Sequence, residues 1–223
     1  MKNSNEILHL LTFLTILLSN GLIKPTFAQV KLDRTKLMSI VDSIYCIDYP
    51  AGVCAGKCKS SGIKENTCKY LDVGGRTIQS FDPIVFQGLT SVITINLSFN
   101  VINSIPETLF QGLSRLNNIY LNSNQLTSIP ANIFQGLYRL TDLNLSNNFI
   151  TLIDANAFKG LFSLNVLYLE SNEIVSFDRN ALIENVALTK VCLYDNPISL
   201  FFPTSLQDIC GPNLNCKYHI TKC

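Results

Sequence analysis

The sequence predicts an α/β solenoid: right-handed coils stacked so that one short strand from each joins a curved parallel sheet on the concave face, with a disulfide-bonded cap at either end. Three observations predict it. A 24-residue period runs through the middle of the chain, a short apolar–polar alternation recurs in every period, and the eight cysteines fall in two groups at the ends of the repeated region. A fixed period of this length marks stacked repeats, because one unit cannot bury its apolar face alone.

The first element, residues 1–28, reads as an export signal. Lys2 supplies the positive start, Ile7 to Leu18 is a mostly apolar run, and Thr26 and Ala28 put small residues before a cleavage point at Gln29. The run is broken by His9 and is shorter than the roughly 20 residues that cross a bilayer, which argues against a retained anchor. No second hydrophobic stretch and no apolar tail follow, so neither a membrane span nor a lipid anchor is expected in this chain. Losing Lys2, Lys24 and Glu6 brings 17 basic and 16 acidic residues to equality. That balance is unlike the basic footprint of a nucleic-acid binder, and no nucleic-acid partner is expected.

In residues 29–45, Leu37, Ile40, Val41 and Ile44 have the spacing of a short amphipathic helix, expected to cover the N-terminal end of the solenoid. Residues 46–88 form a cysteine-rich N-terminal cap with Cys46, Cys54, Cys58 and Cys68 and an irregular half-repeat over 65–88. Within it, Gly74-Gly75 reads as the turn that ends the first strand.

Four regular units occupy residues 89–112, 113–136, 137–160 and 161–184. The tetrapeptide Phe86-Gln87-Gly88-Leu89 returns as Phe110-Gln111-Gly112-Leu113, as Phe134-Gln135-Gly136-Leu137 and as Phe158-Lys159-Gly160-Leu161. Inside each unit runs LxxLxxLxLxxNxLxxI, which in the second is Leu113, Leu116, Ile119, Leu121, Asn124, Leu126 and Ile129. Pairs such as Ile119 and Leu121 alternate with polar residues, as a short strand buried on one face does. Asn100, Asn124, Asn148, Asn172 and Asn196 recur once per coil. An amide both donates and accepts, so these are expected to satisfy backbone groups of their own loop and of the next coil. Phe86, Phe110, Phe134 and Phe158 make a convex spine that Leu182 and Leu206 continue with less volume.

The last element, residues 185–223, joins a degenerating repeat to a second cap with Cys192, Cys210, Cys216 and Cys223. An even number of cysteines in an exported chain reads as disulfides. Five strands at about 4.8 Å hold the two groups roughly 24 Å apart. Bridged α-carbons lie within about 7 Å, so pairing is confined to each end, with about three connectivities open at each. No CxxC spacing supports a zinc site, and no metal or other cofactor is expected.

On these motifs the chain resembles the extracellular leucine-rich-repeat proteins of the typical 24-residue class, which includes variable lymphocyte receptors, Toll-like receptors, Slit proteins and small proteoglycans. The resemblance covers about residues 46–223. It implies a pairing of first with third and second with fourth cysteine in each cap: Cys46–Cys58 with Cys54–Cys68, and Cys192–Cys216 with Cys210–Cys223. Two departures stand out. Three residues separate Cys54 from Cys58 where the family has one, and Cys192 falls within the last strand although Asn196-Pro197 is kept. The resemblance further implies a secreted recognition, adhesion or matrix protein that meets an extracellular protein or glycan on its concave face. An inhibitor or decoy of a receptor or enzyme, or a truncated receptor ectodomain, is the alternative.

The strand pattern identifies that face. Its columns read Tyr70 and Asp72; Thr94, Asn96 and Ser98; Asn118, Tyr120 and Asn122; Asp142, Asn144 and Ser146; Val166, Tyr168 and Glu170; and Lys190, Cys192 and Tyr194. Rigid aromatics among adaptable polar groups suit recognition. The candidate ligand contacts are Asn118, Tyr120, Asn122, Asp142, Val166, Tyr168, Glu170, Lys190 and Tyr194. Asn96-Leu97-Ser98 and Asn144-Leu145-Ser146 are N-glycosylation sequons in the same column, which makes the C-terminal half the more accessible part. Catalysis is not expected. Beyond the signal the chain has one histidine, His219, so no nucleophile–histidine–acid set can be assembled, and a shallow arc offers no cleft for paired carboxylates. The sequence assigns no oligomeric state.

Overall fold

The computed structural model describes residues 30–32, 53–54, 69–176, 178–198 and 217–219. The period-two alternation becomes one three-residue strand per coil. These are β3 (Tyr70–Asp72), β5 (Thr94–Asn96), β6 (Asn118–Tyr120), β8 (Asp142–Asn144), β10 (Val166–Tyr168) and β11 (Lys190–Cys192). In each, the middle residue is buried and its neighbours, apart from Cys192, are half-buried. Two further strands, β2 (Val53–Cys54) and β12 (Lys217–His219), extend the sheet at its two ends. The order is β2-β3-β5-β6-β8-β10-β11-β12, all parallel. The register between repeat strands is one period, with Ile95, Ile119, Leu143, Leu167 and Val191 in line.

On the opposite side, β7 (Ser128–Ile129) pairs with β9 (Leu152–Ile153). There too β1 (Val30–Leu32) pairs with β4 (Ile78–Phe81). So the segment read as helical begins as a strand: Leu32 is fully buried in the core, and its carbonyl accepts from Asp82 N–H at 2.8 Å. Leu37, Ile40, Val41 and Ile44, which carried the helical reading, lie outside the described residues. So do the export signal, Leu206, and Cys46, Cys58, Cys68, Cys210, Cys216 and Cys223, and with them the implied pairings.

The core is the leucine ladder plus the phenylalanine spine. Phe86, Phe110, Phe134 and Phe158 are buried and stack with ring centroids 6.4, 6.0 and 6.3 Å apart. Phe81 closes the N-terminal end of the stack at 6.0 Å, tilted by 56°. Leu182 continues the spine, buried, in a 3-10 turn over Arg179–Leu182 that Asp178 caps by accepting from Asn180 N–H. The glycine of the recurring tetrapeptide has φ of 87°, 82°, 86° and 78° at Gly88, Gly112, Gly136 and Gly160, a backbone state that other residues enter at a cost.

The buried asparagines work as a ladder, with one difference from the sequence reading. Asn124 Nδ2 donates to Leu121 O of its own coil and to Leu97 O of the coil before, each at 3.0 Å, while its Oδ1 accepts from Ile102 N–H at 3.1 Å. Asn148, Asn172 and Asn196 repeat the pattern. Each amide therefore ties its coil to the preceding one and not the next.

Candidate ligand-binding face

Parallel register turns the sequence columns into physical rows. One row across the sheet is Tyr70, Thr94, Asn118, Asp142, Val166 and Lys190; the next is Asp72, Asn96, Tyr120, Asn144, Tyr168 and Cys192. All nine candidate contacts (Asn118, Tyr120, Asn122, Asp142, Val166, Tyr168, Glu170, Lys190 and Tyr194) are half-buried. Three residues assigned to this face are not open on it. Ser98 and Ser146 are buried, each with its hydroxyl donating to the asparagine two residues before it, and Cys192 is fully buried and disulfide-bonded.

The first row is a hydrogen-bonded chain. Thr94 Oγ1 donates to Asn118 Oδ1 at 3.2 Å, Asn118 Nδ2 donates to Asp142 Oδ2 at 3.2 Å, and Thr141 Oγ1 donates to the same oxygen at 2.7 Å. Asn118 and Asp142 are therefore fixed before any ligand arrives, which lowers the ordering cost of binding.

The C-terminal strands carry the strongest electrostatics. Lys190 Nζ stands 5.6 Å from the centroid of the Tyr168 ring, in reach of a cation–π contact. Burial raises the Glu170 carboxyl above its ordinary range, against the lowering effects of its own backbone amide and the Lys190 charge. Its Oε2 is buried and accepts no hydrogen bond. The Tyr168 phenol is also raised, first by burial and then by the negative charges of Asp142 and Glu170. Beside them Ser171 Oγ donates to Asp195 Oδ2 at 2.9 Å.

Both sequon asparagines lie in the second row, each in a tight turn. Asn96 Oδ1 accepts from Ser98 N–H at 3.0 Å and from Ser98 Oγ at 2.6 Å; Asn144 does the same with Ser146 at 3.0 and 2.7 Å. Asn96 Nδ2 in addition donates to Asp72 Oδ1 at 3.0 Å.

Sequence reasoning missed two surface features. Phe99 occupies the third residue after the strand, where φ is positive in every coil. Its equivalents are Gly75, Ser123, Asn147, Ser171 and Asp195, yet Phe99 holds φ of 57° with a bulky ring that is 68% exposed. The signal was available as the one large residue in a column of small and polar ones. On the flank leading into the strands, Tyr138 and Phe162 stack at 6.2 Å and Val186 follows one coil on, all three exposed. Among the described residues no cluster of metal-binding side chains occurs, and no helix is long and apolar enough to cross a membrane.

The leucine rich repeat family model matches residues 67–126, 114–174 and 139–198. Solved structures similar to the chain include the LRIM1/APL1C complex, with 28% identity and a TM-score of 0.55 over 58% of this chain and 24% of that one. The APL1 leucine-rich repeat domain is similar at 28% identity and a TM-score of 0.54, over 58% of this chain and 33% of that one. The TLR13–ssRNA13 complex is similar at 30% identity and a TM-score of 0.55, over 58% of this chain and 19% of that one. The match thus spans well under half of each of those chains. No curated protein sequence matches.

Proposed function

The chain belongs to the leucine-rich-repeat family, and from that premise we propose that it is an exported recognition protein, binding an extracellular protein or glycan through the concave face of its sheet. The observation that carries the reading is the row structure of that face. Half-buried tyrosines at Tyr120, Tyr168 and Tyr194 stand among amides and carboxylates, and Asn118 and Asp142 are locked by hydrogen bonds. Rigid aromatics give large contact area at small entropic cost. The contact centre is assigned to Glu170, Lys190 and Tyr194, because those strands combine a cation held beside an aromatic ring with a half-buried carboxylate whose Oε2 accepts no hydrogen bond.

One similar structure is a complex with ssRNA13. Asp72, Asp142 and Glu170 on this face favour a protein or glycan over a polyanion, whose binding relies on clustered cations. The reading assigns no catalysis, takes the cysteine groups as disulfide caps and takes residues 1–28 as the removed leader.

The test is a pull-down from the source's own extracellular fluid with the refolded protein and a variant carrying Tyr120, Tyr168 and Tyr194 changed to alanine. The partner bound by the native protein is expected to be lost from the variant. If the folded variant retains every partner, the concave-face reading is wrong.

A further inference from the structure

The two sequons form a natural comparison. Both are Asn-Leu-Ser, both start at the end of a repeat strand, and both close the same turn between asparagine Oδ1 and serine. On an extended nascent chain they are equivalent acceptors. Their folded surroundings differ. The Asn96 Nδ2 is engaged by Asp72, donating to its Oδ1 at 3.0 Å. The Asn144 Nδ2 meets no acceptor among the described residues, and its partners in register are Tyr120 and Tyr168.

We infer that the exported protein carries an N-linked glycan on Asn144, with its first sugar seated between the rings of Tyr120 and Tyr168, and none on Asn96. The bond forms between Asn144 Nδ2 and the sugar's C1 as the C1–O bond to a lipid-linked diphosphate donor breaks. The lipid diphosphate leaves with the electron pair, and the nitrogen gives up one proton and remains an amide. At Asn144 neither Nδ2 hydrogen is held by an internal hydrogen bond among the described residues, whereas at Asn96 one of the two is held by Asp72. The Asn144 Oδ1 contacts to Ser146, which hold the turn, stay in place. The strands on either side are about 4.8 Å away, so the apolar face of a pyranose can lie on an aromatic ring. At Asn96 the sugar would compete with Asp72 for the same nitrogen, and chains so modified are depleted from the folded, exported pool. The glycan also divides the face, leaving Glu170, Lys190 and Tyr194 as the open end. This inference rests on the export reading above.

The experiment expresses the full chain in secretory cells, once behind its own leader and once behind a supplied one. Intact mass and peptide mapping are then read on protein from the medium. One glycan is expected on the native chain and on N96Q, and none on N144Q. Should N144Q fail to reach the medium, enzymatic deglycosylation of the native chain decides, since it converts the occupied asparagine to aspartate at residue 144 or 96. Under native conditions, Y120A with Y168A is expected to speed glycan removal several-fold. A glycan at Asn96, two glycans, none at all, or removal unaffected by the tyrosine variants would each overturn the assignment. Failure to reach the medium behind its own leader overturns the export reading alone, because the supplied leader still reports the site.

Discussion

Asn148 shows how much one side chain holds in this protein. Its Nδ2 donates to Leu121 O, Leu145 O and Ser146 O, and its Oδ1 accepts from Leu126 N–H. Each buried group left unpaired costs about 1–3 kcal/mol, so Asn148→Ala is expected to lose at least about 3 kcal/mol in denaturant unfolding. Phe99 is the opposite case, a residue that costs stability. A non-glycine in the left-handed state costs about 1–2 kcal/mol. Asn, which tolerates that state better, should raise stability by about 1 kcal/mol and Tm by about 2–4 °C; an unchanged or lower Tm would show that the ring is supported by contacts. Glu170 gives a pH signature. Its carboxyl is raised in the fold, so its contribution to stability is full below the ordinary carboxylate value and is lost as pH rises through the folded one. Stability curves of the native protein and Glu170→Gln should therefore separate as pH rises through that interval, with the glutamine variant relatively more stable at neutral pH. The asparagines were legible because they recur at one position of a strict period. The left-handed state of Phe99 was legible only indirectly, through the Gly, Asn and Asp that share its column and tolerate that state, and the structure supplies φ.

At the level of the element, the unit is the coil, and coils stabilise one another only through neighbours. Phe134 lies between Phe110 and Phe158, so truncating it leaves a cavity that two coils share. Phe134→Ala is expected to cost about 3–5 kcal/mol. Combined with Phe110→Ala, the loss should depart from the sum of the single losses, because contacting residues couple, whereas Phe86 and Phe158 changed together should be near additive. Equilibrium unfolding of the four single and two double variants checks this. The strands β5, β6, β8 and β10 were readable from alternation alone, and the register followed from the period. The terminal strands β2 and β12 were not. Val53–Cys54 and Lys217–His219 lack the repeated leucines, and they form strands because a parallel sheet with an open edge offers unpaired backbone groups to whatever chain lies beside it. β1 follows the same logic on the convex side, where Leu32 fills the end of the core and the chain pairs with β4.

For the whole molecule, the fold is a one-dimensional stack whose sheet presents a single broad polar and aromatic face. The rows on that face were predictable, because a 24-residue period with parallel strands leaves one register. What the sequence could not show is which side chains of the rows stay available. Ser98, Ser146 and Cys192 are withdrawn by local bonding, and Asn118 and Asp142 are tied to each other. The central claim is recognition at the C-terminal end of the concave face. Its most direct measurement is the affinity of the recovered partner for two folded variants of the protein. One carries Lys190 and Tyr194 changed to alanine on that face; the other carries Leu152→Ser on the convex side, where Leu152 is exposed. The account predicts at least a hundred-fold weaker binding for the first and no change for the second. Equal affinity of the first variant and the native protein, or loss confined to the convex variant, would contradict it.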